Sequence, residues 1–249
     1  MAPPVAPPAE AGLPALSEPA RVLNAFIAPS KTFTDLRRNA SWWGPLIVTF
    51  IVTMIFVVAM DRQIGFETIS RNAIATSSRA DQFEKLPADQ KGKQIQLTTT
   101  ITRYASYGSI VIVVLANLVI ALVLWATFMI FGGNTGFKTA LAIQWYGGLP
   151  FAIHGLLGAA SMFAGVEKDG FNPQNPVGSN PAYYMDPTGN KFVLGMASAL
   201  DIFVIWSIIL LGIGFACNSK IKRGTAISVV GGLYLLYKLA GSGIAAAMS

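Results

Sequence analysis

Apolar residues in this chain neither alternate with polar ones nor recur only at helical spacing; they run together in long stretches. Five such runs stand out, at 44–60, 107–131, 139–165, 192–217 and 224–248. About 20 predominantly apolar residues carry a helix across a hydrocarbon core of roughly 30 Å, and backbone groups in lipid must be satisfied within the segment. Each run therefore reads as a transmembrane helix. The ten-residue alternation of a membrane barrel is not seen. The first run, "GPLIVTFIVTMIFVVAM", is near the short end of the range. Trp42 and Trp43 stand just before it, where amphipathic rings favour the interface, and are the expected interface anchors. The third run carries Pro150, and the fifth mixes glycine, tyrosine and Lys238 into its apolar residues. The predicted fold class is all-α, a polytopic membrane protein with five transmembrane helices.

The polar intervals complete the plan. Residues 1–19, "MAPPVAPPAEAGLPALSEP", are rich in Pro and Ala and lack the apolar core of a signal peptide, which predicts a disordered tail. Within 20–43, Val22, Leu23, Phe26 and Ile27 share one helical face, and Pro29 with Ser30 breaks the chain before a second short helix through Phe33 and Leu36. These amphipathic helices are expected to lie along the membrane surface, with Phe26 and Ile27 as docking residues. Residues 44–248 form the membrane domain. Its 61–106 loop predicts two amphipathic helices separated near Leu86 and Pro87, whereas 166–191 is turn-rich.

Charge sets the expected orientation. "NSKIKRG" holds Lys220, Lys222 and Arg223, "GGNTGFK" holds Lys138, and Lys31, Arg37 and Arg38 precede the first span. Lys and Arg near span ends stay cytoplasmic, so these turns and the N-terminus are predicted inside, with 61–106 and 166–191 as external loops. The seven Lys and Arg of 61–106 run counter to this, but five acids dilute them. Composition agrees with the membrane assignment: 53% hydrophobic, 12% charged, mean hydropathy +0.53. The net charge of +6 is spread over tail, loops and turns rather than gathered into an aromatic-laced stripe, so the lipid bilayer and not nucleic acid is the expected partner.

Catalytic chemistry finds little material. His154 is the single histidine and Cys217 the single cysteine, so no disulfide and no metal site is predicted. Ser161 shares a helical face with His154 but lies about 10 Å along it, too far for a nucleophile and its base. "FGGNTG" lacks the lysine and hydroxyl of a phosphate loop. No catalytic residue and no cofactor are assigned, and the protein is expected not to be an enzyme.

Three motifs recur in a recognisable order. "FIAPSKTFTDLRRNASWWGPLIV" gives an apolar helix, a Pro-Ser break and an aromatic entry into the first span. "MIFGGNTGFKTALAIQWYGGLPFAI" gives a Gly-Gly turn and a span interrupted by aromatic-Gly-Gly-x-Pro, and "ALDIFVIWSIILLGIGF" gives Asp-x-Phe-x-x-Trp before a basic turn. Together these resemble the Yip family of five-span membrane proteins, in its bacterial branch. The resemblance implies a cytoplasmic N-terminus, residence in a bacterial inner (plasma) membrane, and a scaffold or interaction role, with other membrane proteins or a second copy as partners. Eukaryotic members of that family bind prenylated small GTPases. This chain has no Tyr-Gly-Pro-type acidic segment before the first span, so small-GTPase binding is not carried over.

Polar residues inside the spans raise a separate question. Counted from the expected span ends, Asp201, Lys238, His154 and Asn117 each lie roughly 14–17 Å deep at about 1.5 Å per residue, which predicts one polar layer near the midplane. Intramembrane charges are costly and usually paired, so Asp201 and Lys238 are expected to face each other, with His154 and Asn117 completing the layer. The layer reads either as a structural network fixing helix register or as an ion or proton pathway. The corresponding functions are a non-enzymatic scaffold or accessory subunit organising other membrane components, or alternatively a small transporter or channel. No internal repeat supports the second.

Overall fold

The computed structural model describes residues 14–77 and 79–247, and every regular element among them is helical. The first thirteen residues, most of the expected tail, lie outside the described residues. Helix α1, Glu18–Ile27, starts at Ser17, whose hydroxyl accepts the Ala20 amide at 3.4 Å. Side-chain oxygens at this position satisfy an otherwise orphaned first-turn donor. Helix α2, Pro29–Asp35, follows after Ala28, its proline sitting in the first turn where a missing amide costs nothing. The two helices expected between residues 20 and 43 are thus separate elements joined at the Pro-Ser break.

Helix α3, Trp43–Ala59, continues through a π-helical turn, Met60–Ile64, and stops at Gly65, whose φ of +89° suits glycine. The 61–106 interval then holds α4 (Phe66–Ala75), α5 (Ala80–Glu84) and α6 (Ala88–Tyr107). The break at Pro87 falls where its restricted backbone predicts it, and the end of α4 at Ala75 with the separate start of α5 at Ala80 makes three helices of the expected two. Helix α7, Ser109–Ile130, is the most apolar element. It ends on paired glycines: the Gly133 amide bonds the Phe128 carbonyl at 2.7 Å and Gly132 the Met129 carbonyl at 3.1 Å, with Gly132 at φ +82°. This left-handed closure satisfies two terminal carbonyls. A Cβ on Gly133 would lie 2.6 Å from the Phe128 oxygen, so Gly132 and Gly133 are both turn residues.

The remaining helices are α8 (Phe137–Gly147), α9 (Pro150–Phe163), α10 (Lys191–Ser198), α11 (Ile202–Asn218) and α12 (Arg223–Ala247). Among the described residues, three unbroken helical segments are long and apolar enough to cross a membrane: Trp43–Ile64, Ser109–Ile130 and Arg223–Ala247. A fourth is obtained if α10 and α11, bent by 53°, form one span. The 139–165 run is delivered as α8 and α9, 11 and 14 residues long, parted ahead of Pro150 because a residue before proline avoids helical backbone. Two of the five expected runs are therefore not single helices, and the described residues give three or four candidate spans where five were expected.

The chain divides into two compact units. The first comprises Met1–Ile47, Ala116–Leu149 and Ser207–Val230. Its core is aromatic: Phe128 and Phe215 stack at 3.9 Å, and Phe33, Leu36, Tyr146 and Leu210 are fully enclosed. Small residues set the spacing. A Cβ on Gly212 would meet the Ile227 backbone at 2.7 Å, and one on Gly214 would meet Ile143 and Phe33 at 2.5 and 3.0 Å, so α11 has room for α12, α8 and α2 only through its glycines. The second unit comprises Val48–Leu115, Pro150–Trp206 and Gly231–Ser249. Val57, Met60, Phe66, Ile69, Met162 and Phe171 form its core, and Gly158 admits Phe56 and Pro176.

Candidate functional site

Within the first unit, a charged side chain is buried where none was expected. Arg21 is 2% exposed on the inner face of α1, with Ala25 about one turn further on. Its Nε and Nη2 both donate to Asp35 Oδ2 at 2.8 Å, and Nη1 reaches Glu18 Oε1 at 3.2 Å. The other Glu18 oxygen accepts the Tyr146 hydroxyl at 2.7 Å and the Gly44 amide at 3.1 Å. Thr32 Oγ1 donates to the Arg21 carbonyl at 2.8 Å, tying α2 back to α1. A planar guanidinium suits this role because its fork holds two carboxylates at once. Burial alone would raise the Glu18 carboxyl, but hydrogen bonds from Ser41, Tyr146 and the Gly44 amide, with the Arg21 charge, outweigh it and hold the group below its ordinary value. The network clamps the α1–α2 hairpin onto α8 and the start of α3.

The clamp decides which face of α1 looks outward. Leu23 and Ile27 are 59% and 70% exposed, with Phe26 half-buried beside them. Nearby, Trp42 stacks between Trp43 and Trp145 at 5.0 and 5.9 Å, leaving Trp43 exposed and Trp145 buried. The hairpin is held at its far end by Asn218 Nδ2, which donates to the Phe33 carbonyl at 2.8 Å, and by Arg37, which donates to the Cys217 carbonyl.

The second unit places Asp201 at the break in the fourth run. Helix α10 stops at Ser198 and α11 starts at Ile202, so Asp201 is not in mid-helix but caps α11: its Oδ1 accepts the Phe203 and Val204 amides at 2.8 and 3.3 Å. Its Oδ2 accepts the Ser179 hydroxyl and the Asn180 amide, the latter at 3.1 Å, so the 166–191 loop is pinned to the helix start. Lys238 Nζ instead donates to Ser198 Oγ at 2.8 Å, at the end of α10. His154 packs edge-on against Phe203 with centroids 5.1 Å apart. Asn117 belongs to the first unit, where its Oδ1 accepts Gln144 Nε2 at 3.1 Å. The expected Asp201–Lys238 ion pair is replaced by one partner set for the carboxylate and another for the amine. The reason is local: an aspartate ahead of an apolar run is a strong helix start, and capping consumes the carboxylate.

Sequence reasoning missed Glu18, Arg21, Asp35 and Tyr146. A signal was present in the three-residue spacing of Glu18 and Arg21, hidden by the neighbouring apolar stripe. Among the described residues no group of three His, Cys, Asp or Glu side chains is placed to hold a metal ion.

A family model, the Yip1 domain, matches residues 23–244. The chain belongs to the Yip1 family. A bacterial relative, the membrane protein YknW of Bacillus subtilis (strain 168), is 22% identical over 208 residues, covering 83% of this chain and 82% of that one. No solved structure matches. The Yip1 match takes in Asp35, Tyr146 and Asp201, whereas Glu18 and Arg21 precede its first residue.

Proposed function

We propose that this Yip1-family protein is a non-enzymatic membrane scaffold, which organises other membrane proteins or further copies of itself through its N-terminal hairpin. The observation that carries the reading is the clamp: buried charge is spent on holding α1 in a fixed pose that turns Leu23 and Ile27 outward. An apolar stripe held rigid in this way is preorganised for contact, which lowers the ordering cost of association. Affinity purification of the full chain in mild detergent is the test. A stoichiometric membrane partner or second copy is expected, reduced at least about tenfold by Phe26→Asp with Ile27→Asp, since burying two carboxylates in an apolar contact costs several kcal/mol. Purification without any partner, accompanied by ion flux in liposomes, would overturn the scaffold.

The orientation proposed is cytoplasmic for the N-terminus and the turn after α11. The first unit holds eight Lys and Arg against three Asp and Glu, and the second holds ten against nine, so nearly all the positive excess belongs to the first. In a Cys217→Ser background, Ser219→Cys is expected to resist an impermeant thiol reagent in intact cells and Thr188→Cys to react. The opposite labelling pattern would invert the topology. The bent α10–α11 pair favours a second reading as a transporter, because broken helices line substrate sites in that class. Flux abolished by a substitution at Asp201 would support it.

A further inference from the structure

An open, shallow cavity of about 470 Å³ lies beside α2. Its polar lining is Ser30, Lys31, Thr34, Asp35 and Arg38, and Leu16 and Pro14 close its apolar side. The lining contains two cations, two hydroxyls and one carboxylate. That carboxylate is already engaged: Asp35 Oδ2 takes Arg21 and the Leu16 amide at 3.3 Å, and Oδ1 lies 4.0 Å from Arg38. Asp35 is thus ion-paired with buried Arg21, which it shares with Glu18, and more distantly with Arg38. Ser30 Oγ accepts from Arg223 Nη2 at 3.0 Å, which leaves its proton to donate and brings a further cation to the rim. The donors gathered here are an ammonium, guanidinium groups and hydroxyls, the set that recognises phosphate oxygens.

We infer that this cavity binds a phosphate group, carried by an anionic phospholipid headgroup or free in solution. Lys31 acts as a point charge, Arg38 as a fork, and Ser30 and Thr34 as neutral donors to the oxygens. The inference concerns a ligand and stands whether or not the scaffold reading holds. The full chain in mild non-ionic detergent is titrated with inorganic phosphate against chloride at constant ionic strength, and separately with phosphatidylglycerol against phosphatidylcholine, following thermal stabilisation and retained lipid by native mass spectrometry.

Saturable stabilisation is expected with at least one phosphate probe over its control. Phosphatidylglycerol alone identifies the headgroup as the source; competition by inorganic phosphate identifies a free-phosphate site. Lys31→Gln with Arg38→Gln is expected to weaken apparent affinity about tenfold or more, because both lost contacts are charge-assisted. Thr34→Val, which keeps the volume and removes one donor, should weaken it about threefold, and supplies the test if the paired variant does not fold. Lys220→Gln with Lys222→Gln, outside the cavity, should change it less than about twofold. Equal losses from the two paired variants would show diffuse attraction to a basic surface and overturn the site. So would an absence of saturable binding to either probe, or binding unchanged in the cavity variants.

Discussion

Replacing Arg21 with methionine is expected to release the α1–α2 hairpin and cost about 3–5 kcal/mol, read as lost thermal stability in detergent and as new protease cleavage before α3. The size follows from what is left behind. Buried Asp35 and partly exposed Glu18 would both lose the guanidinium that now bonds them. Glu18→Leu and Asp35→Leu added to Arg21→Met should restore part of the loss, because an apolar cluster avoids the desolvation of the charges but leaves the buried Tyr146 hydroxyl and the Gly44 amide without their acceptor. Stability of the wild-type clamp should also depend on pH with a defined sign. The folded Glu18 carboxyl lies below its ordinary value of 4.5, so its contribution is fully present above that value and is lost as pH falls through the depressed one. Proteolysis of the hairpin should therefore accelerate in acid for the wild type. A wild-type rate flat with pH, or a methionine variant as stable as the wild type, would show that the Arg21 network is not what holds the hairpin.

The pattern of apolar runs was sufficient for the helical class because a bilayer admits only helices and closed barrels and the alternation of a barrel is missing, and three runs lie mostly within the unbroken helices Trp43–Ile64, Ser109–Ile130 and Arg223–Ala247. Where the chain departs from that reading, a local polar group decided. Asp201 looks from the sequence like a charge stranded in a span, since hydropathy averages over the break that its own capping creates. The "SALD" turn before "IFVIW" is a helix start in the ordinary sense, and only the length of the surrounding apolar run conceals it. Arg21 was hidden for a different reason. The stripe of Leu23, Phe26 and Ile27 was legible, but periodicity identifies an apolar face without saying whether the opposite face is wet. Here the opposite face is enclosed by Tyr146 and Gly44, which come from elements distant in sequence. No spacing rule within α1 reports that.

The same distinction between a pair and a cap makes Asp201 the second large effect. If the carboxylate balanced Lys238, Asp201→Asn would strand the amine, Lys238→Met would strand the carboxylate, and the double variant would recover. The observed bonds predict a different series. Asparagine is as good a helix cap as aspartate, so Asp201→Asn should cost only about 1 kcal/mol, from weaker acceptance of the Ser179 and Asn180 donors. Asp201→Ala removes the cap on the Phe203 and Val204 amides and leaves the loop donors without an acceptor; about 2–4 kcal/mol is expected. Lys238→Met breaks one bond to the Ser198 hydroxyl and should cost under about 1 kcal/mol, because a flexible apolar chain of similar length fills the same space. The Asp201→Ala, Lys238→Met double variant should then lie close to Asp201→Ala. Thermal unfolding of the four variants in one detergent decides the matter. Recovery in the double variant by more than about 1 kcal/mol relative to Asp201→Ala would restore the ion pair, and with it the case for a charge-relay function across α10, α11 and α12.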